Sequence, residues 1–208
     1  DFSAVARPWM SPPLVEKWSL YQHEFLFGQA VEHAWKTGDF GQVDEALGFF
    51  EQYAAVTGHA GGGFPFLFTN LGACMLSAFL TDFTRFGGTT IWVELDEPWG
   101  WDKLGALDEN TRVPYAETSM EAVKRLTQRL DGKFVICYPE LGGLLDVLAA
   151  MRGTQNLLMD LLAQPDDVHA VIAKLERIWQ KYYREVAGMV DPVNHGCYTV
   201  TMRYLSAR

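Results

Sequence analysis

Gly132-Lys133-Phe134-Val135-Ile136-Cys137-Tyr138-Pro139-Glu140-Leu141-Gly142-Gly143-Leu144-Leu145-Asp146 is the stretch whose reading decides the fold. A glycine closes one helix. A short apolar run, Phe134 to Tyr138, then reads as a buried strand. A polar break follows, and the Gly142-Gly143 pair leads into the next helix. In α/β proteins the break after such a strand is where ligands bind.

Working outward, Thr118 and Glu121 form a capping box, and Met120, Val123, Leu126 and Leu130 make the buried face of the helix before the strand. Further upstream, Thr89 to Leu95 is β-branched and aromatic, the pattern of a second strand. Phe64 to Thr69 reads as an earlier strand, followed by Asn70, Gly72 and a helix over Cys74 to Phe83. Pro98-Trp99-Gly100-Trp101 reads as loop. Downstream, Leu144 to Met151 and Gln155 to Leu162 are short helices split by Gly153-Thr154. Pro165, Asp166 and Asp167 open a long helix, their acids suiting its dipole. Its apolar stripe is Val168, Val171, Leu175, Ile178, Trp179, Tyr182 and Val186. Tyr198 to Tyr204 reads as a fourth strand, although its clean alternation suits a strand with one polar face. Before all of this, Leu14 to Lys36 and Val43 to Val56 are helical, and Gly61-Gly62-Gly63 is a flexible junction.

Strands alternating with helices at these spacings demand crossover connections, the mark of an α/β protein with a parallel sheet. A complete (β/α)8 barrel takes roughly 250 residues. The expectation is therefore a helical lead-in over residues 1–63 and a partial TIM-type barrel over residues 64–208. The barrel is expected to continue past Arg208. The chain starts at Asp1, so an upstream piece is expected too.

With 208 residues, 49% of them apolar and 21% charged, the composition is that of an ordinary globular protein. No apolar run reaches the length of a membrane span, and no secretion signal is visible, so no membrane partner is expected. A net charge of -9 argues against a nucleic-acid partner, which needs clustered Lys and Arg. Cys74, Cys137 and Cys197 are odd in number and far apart, which suggests reduced thiols and a cytoplasmic location. His195 and Cys197 form an H-x-C pair, but two candidate ligands fall short of a catalytic zinc site. No metal ligands are assigned within the chain.

If the strands run parallel, their carboxyl ends share one face. That face collects Asn70, then Glu94, Asp96 and Glu97, then Tyr138 and Glu140. Crowded carboxylates raise one another's pKa, and a raised carboxyl acts as a general acid. Glu94 is the leading catalytic candidate, being nearest the apolar strand. Asp146 is the second, because a charge in the apolar segment Leu144 to Leu148 needs a donor; Arg152 is a structural alternative. Asn70, Asp96, Tyr138, Glu140 and Arg203 are candidate substrate contacts. Gly142 and Gly143 either present backbone N–H groups to an anion or form a tight turn. Trp92, Trp99 and Trp101 beside the acids either stack a flat ligand or belong to core and rim.

Leu71-Gly72-Ala73, Thr90-Ile91-Trp92-Val93-Glu94, Gly142 through Leu158 and Pro165-Asp166-Asp167-Val168 resemble the uroporphyrinogen-decarboxylase-like superfamily. That superfamily also holds the cobalamin- and coenzyme-M-type methyltransferases. The similarity covers roughly residues 64 to 208, with Gly142 to Gln155 its most specific part. It implies a (β/α)8 barrel with its site at the carboxyl ends of the strands. The implied activity is decarboxylation of an acidic tetrapyrrole without a cofactor, with a homodimer as the candidate assembly. The runner-up is zinc-dependent methyl transfer from a corrinoid partner, with ligands expected beyond Arg208. The chain departs from the decarboxylases in lacking their arginine-rich N-terminal stretch, of which Arg7-Pro8-Trp9-Met10 is a faint echo. The family's active-site tyrosine falls at Val147. Two readings stand apart from the resemblance: a glycosidase-like barrel using Glu94 and Glu140, and a non-enzymatic binding module.

Overall fold

The computed structural model describes residues 20–56, 58, 66–69, 71–81, 85–86, 91–93, 95–195, 197–198 and 204–205; for 20–25, 85–86, 91–92, 197–198 and 204–205 it describes the backbone alone. In chain order the elements are α1 (Leu20–Thr37), α2 (Gly41–Val56), β1 (Phe66–Phe68), α3 (Met75–Leu80), β2 (Arg85–Phe86), β3 (Ile91–Trp92), α4 (Trp101–Gly105), α5 (Pro114–Leu130), β4 (Val135–Cys137), α6 (Leu144–Arg152), α7 (Thr154–Ala163), α8 (Pro165–Asn194), β5 (Cys197–Tyr198) and β6 (Tyr204–Leu205). Helix dominates, with one short parallel pair of strands, so the architecture is a helix-rich α/β one.

The chain divides into two compact units. The first holds residues 1–71, 118–139 and 186–208; the second holds 72–117 and 140–185.

In the first unit, α1 and α2 form a helical hairpin. Gly38 turns the corner at φ +76°, in the left-handed region that glycine enters without a Cβ penalty, and its N–H closes onto the Ala34 carbonyl at 2.8 Å. Asp39 starts α2 by accepting from the Gly41 N–H at 2.8 Å. Phe27, Val31 and Ala34 of α1 and Val43, Leu47 and Phe50 of α2 are buried. Phe50 meets Phe134 edge to face at 6.5 Å. Above the apolar layer, Glu51 is paired with Lys133 and Arg129, whose hydrogen bonds hold its carboxyl below the usual carboxylate range.

β1 and β4 pair in parallel, Leu67 opposite Ile136. The buried Thr69 hydroxyl continues the ladder by donating to the Cys137 carbonyl at 2.9 Å. Along a strand the N–H and C=O of one residue point to the same side, so those of Ile136 and those of its neighbours face opposite edges. Asn194, the last residue of α8, meets the Ile136 edge. Its carboxamide accepts from the Ile136 N–H at 2.9 Å and donates to the Ile136 carbonyl at 2.7 Å. One side chain thus supplies both partners that a further strand would supply.

The expected strands depart from the parallel pattern elsewhere. Ile91–Trp92 pairs antiparallel with Arg85–Phe86, and Cys197–Tyr198 pairs antiparallel with Tyr204–Leu205. The segment read as one fourth strand is therefore two short ones that face each other, and residues 199–203 lie outside the described residues. Local hairpins close a short loop at lower entropic cost than a crossover pairing. Trp101 opens a helix, α4, where loop was expected. A barrel is not seen among the described residues.

In the second unit, α8 lays Val168, Val171, Leu175, Ile178 and Tyr182 into the core, as the spacing predicts. Tyr182 packs on Phe79 at 5.1 Å, and Phe79 meets Tyr115 at 6.1 Å. Arg112 grips Glu185 through two hydrogen bonds of 3.0 and 2.9 Å and reaches Glu117 at 2.7 Å. Among the described residues no helix is long and apolar enough to cross a membrane.

Replacing Asn194 by Ala leaves the Ile136 N–H and C=O without this partner. We expect a loss of about 1–3 kcal/mol in urea-induced unfolding. An unchanged midpoint would show that the carboxamide contributes nothing to holding β4.

Candidate functional site

The turn after β4 is built around a close backbone approach. The N–H groups of Met75 and Leu76, at the start of α3, donate to the carbonyls of Glu140 and Leu141, each at 3.1 Å. These are donors that the first turn of a helix cannot satisfy internally. The approach presses Gly142 onto Cys74. A Cβ on Gly142 would lie 2.6 Å from the Cys74 Cα and 3.0 Å from its Sγ, and Gly142 itself sits at φ +87°. Cys74 is also left-handed, at φ 57° and ψ 40°, a conformation unusual for a residue with a side chain. The Gly142 carbonyl accepts from the Trp179 indole N–H at 3.2 Å.

Gly143 is the residue before α6, and the Asp146 carboxylate folds back over it, 2.8 Å from where a Cβ would stand. Asp146 is in the first turn of α6, where the helix dipole favours an anion. Burial raises the pKa of the half-buried Cys74 thiol, and the charges of Asp146 and Glu140 raise it further. The thiol therefore stays protonated near neutrality and is a poor nucleophile. Cys137, in the other unit, is pushed up to about 11 by burial alone.

The residues singled out from the sequence distribute as follows. Glu140, Gly142, Gly143 and Asp146 come together at this turn, with Glu140 and Asp146 exposed. Two carboxylates beside the glycines oppose an anion there and favour a neutral or cationic group. Asp96 is exposed in the loop before α4 and Glu97 beside it likewise. Tyr138 belongs to the first unit, where its buried side chain donates a hydrogen bond to Asp191. Asn70, Glu94 and Arg203 lie outside the described residues.

Arg152, offered as a partner for Asp146, instead binds Asp160 at 2.7 Å and the Trp99 carbonyl at 3.1 Å. Its guanidinium stands over the Trp101 ring at 5.1 Å, and Lys103 stands over Trp99 at 3.9 Å. These two indoles are thus half-buried and packed, Trp99 in the loop before α4 and Trp101 in its first turn. Cys74, Trp179 and Asp191 were not read as site residues. Nothing in their local spacing marks them, because each acts through a partner distant in sequence. A surface cleft of about 380 Å³, lined by Leu107, Asp108, Glu109, Asn110, Lys174 and Arg177, contains none of the expected residues. Among the described residues no three His, Cys, Asp or Glu side chains converge to hold a metal.

Gly142→Ala should cost well over 2 kcal/mol, since a left-handed backbone and a sub-contact approach both oppose the methyl group. Gly132→Ala is the comparison. It shares a positive φ of 70° but meets nothing within 4 Å, and should cost only about 1 kcal/mol. Chemical denaturation of both variants tests the difference; equal losses would refute the close approach. Asp146→Asn and Glu140→Gln should each lower the Cys74 pKa and speed its alkylation by iodoacetamide above pH 8, followed on the Cys74 peptide by mass spectrometry. Unchanged or slower alkylation would show that neither charge reaches the thiol. Compared with protein-family models, with curated proteins and with solved structures, the chain matches none.

Proposed function

We propose that the chain is part of a (β/α)8 enzyme of the uroporphyrinogen-decarboxylase-like superfamily, acting on an acidic tetrapyrrole. The observation that carries the proposal is the parallel pairing of β1 with β4, followed directly by the glycine turn that brings Glu140 and Asp146 together. A strand end leading into a helix start is where such folds bind ligands. In decarboxylation a pyrrole ring is protonated and the carbon–carboxylate bond breaks toward it. A second proton then adds to the carbon that lost carbon dioxide, and the ring gives back the proton it first took. Carboxylates at positions 140 and 146 are suited to accept the pyrrole N–H groups and stabilise the cationic ring. This role rests on fold-level analogy.

Methyl transfer from a corrinoid to a thiol is the second reading. It is favoured by the state of three arginines in the second unit. Arg112 and Arg152 are committed to internal carboxylates, and Arg177 lies 3.8 Å from Glu109. They are poorly placed to grip the acidic side chains of a tetrapyrrole substrate. Among the described residues no three His, Cys, Asp or Glu side chains are placed to hold the zinc ion that such a transfer would use. The glycosidase reading needs the separation of Glu94 from Glu140, and Glu94 lies outside the described residues.

The protein should be incubated anaerobically with uroporphyrinogen, and separately with a methylated corrinoid, a thiol and added zinc. Turnover is read by chromatography of the oxidised porphyrins in one arm and by corrinoid absorbance in the other. We expect turnover in one arm, falling at least about tenfold in Asp146→Asn. Turnover in neither arm would overturn both readings. Full activity in the variant would remove Asp146 from the site while leaving the enzyme assignment standing.

A further inference from the structure

Helix α7 turns its one charged side chain inward: Asp160 is buried and paired with Arg152 at 2.7 Å. On the outer side Leu158 is 60% exposed, Met159 66%, Leu161 41% and Leu162 85%. At 100° per residue these four sweep an arc of about 160°, where a helix facing water carries charge. Acids stand at both ends of this face. Asp166 and Asp167 are exposed in the first turn of α8, with Gln164 and Pro165 between them and α7. The α8 dipole, worth about half a unit charge, offsets only part of theirs. At the other end Pro98 lies 3.4 Å from where a Cβ on Gly153 would stand, just before α7. Asp96 and Glu97, which precede Pro98, are exposed. From Gly153 through Ala173 the chain has no Lys or Arg. The flanking cations are engaged: Arg152 with Asp160, Lys174 with the Gly105 carbonyl, and Lys103 over the Trp99 ring, next to exposed Asp102.

We propose that the outer face of α7 docks a cationic amphipathic helix of another protein, its apolar stripe bracketed by Lys or Arg. Charge complementarity selects this occupant. A basic residue at each end of the stripe meets Asp96 and Glu97 on one side and Asp166 and Asp167 on the other. A second copy of a chain carrying -9, or an anionic membrane, would set like charges against these acids. The ten residues of α7 span about 15 Å, so the partner's basic residues stand about ten to fourteen positions apart. Leu and Met side chains adapt to apolar helix faces of differing shape. The four expose roughly 500 Å², the scale of a small, transient contact.

The probe is a fluorescein-labelled peptide of about eighteen residues, Leu at i, i+3, i+4 and i+7 and Lys elsewhere. Read by anisotropy on the full chain, it should bind with a Kd on the order of 10 μM at low salt, and more weakly as salt rises. The same peptide with Glu for every Lys should bind at least about tenfold more weakly. The double variant Leu158→Gln, Leu162→Gln should lose at least about tenfold in affinity for the Lys peptide, with helicity by circular dichroism unchanged. Asp166→Asn with Asp167→Asn should lose about threefold and flatten the salt dependence. On wild-type protein, bound peptide should slow amide hydrogen exchange of residues 154–163. No saturable binding, equal affinity for the Glu peptide, a leucine variant that binds as wild type does, or exchange at 154–163 indifferent to peptide would each overturn the proposal. So would self-association in sedimentation velocity, or partition onto phosphatidylserine vesicles, that the leucine variant abolishes, since either gives the face to another occupant.

Discussion

β4 is three residues long, too short to hold itself in place, and its backbone groups must be satisfied on both edges. On one edge β1 supplies a parallel partner in register, and Thr69 extends that edge by one more hydrogen bond. On the other edge the Asn194 carboxamide takes both the donor and the acceptor of Ile136. The first unit depends on this double satisfaction. It fixes where β4 lies against the helical hairpin, and it ties the end of α8 to the strand. A strand edge covered by a side chain is also protected from pairing with another molecule.

A second constraint governs the residues just past β4. Gly142 and Cys74 come so close that position 142 tolerates no Cβ, and both residues adopt positive φ. The approach is stabilised by two backbone hydrogen bonds to the start of α3 and by the Trp179 indole. Its electrostatic consequence is a protonated thiol flanked by two carboxylates. Such a neighbourhood receives a cation or a developing positive charge more readily than an anion. The tetrapyrrole proposal leans on that property, while Arg112 and Arg152 are engaged with Glu185, Glu117 and Asp160.

Much of the helical architecture was legible. The stripe of α8 from Val168 to Val186, the split between α6 and α7 at Gly153, and the cap at Gly132 follow from periodicity and glycine chemistry, which are local. The parallel direction of β1 and β4 was also legible, because intervening helices forbid a tight hairpin. Strand partners were not. Ile91–Trp92 and Cys197–Tyr198 have the composition of buried strands, yet each pairs antiparallel with a near neighbour in sequence. Composition reports that a segment suits a sheet and says nothing of which edge it meets. At the site, the convergence of Glu140, Gly142, Gly143 and Asp146 was legible because the four are close in sequence. The roles of Cys74, Trp179 and Asp191 were not, since each depends on a contact spanning tens of residues.

The sequence by itself determined the apolar stripe of α8, the helix breaks at Gly132 and Gly153, and that β1 and β4 run in one direction. Those properties are written in spacings of a few residues. Tertiary structure alone decided that Gly142 must remain without a side chain, that Asn194 would stand in for a strand, and that the apolar outer face of α7 would be left to solvent. Each of these depends on which distant backbone or side chain arrives at a given point, and no local pattern carries that information.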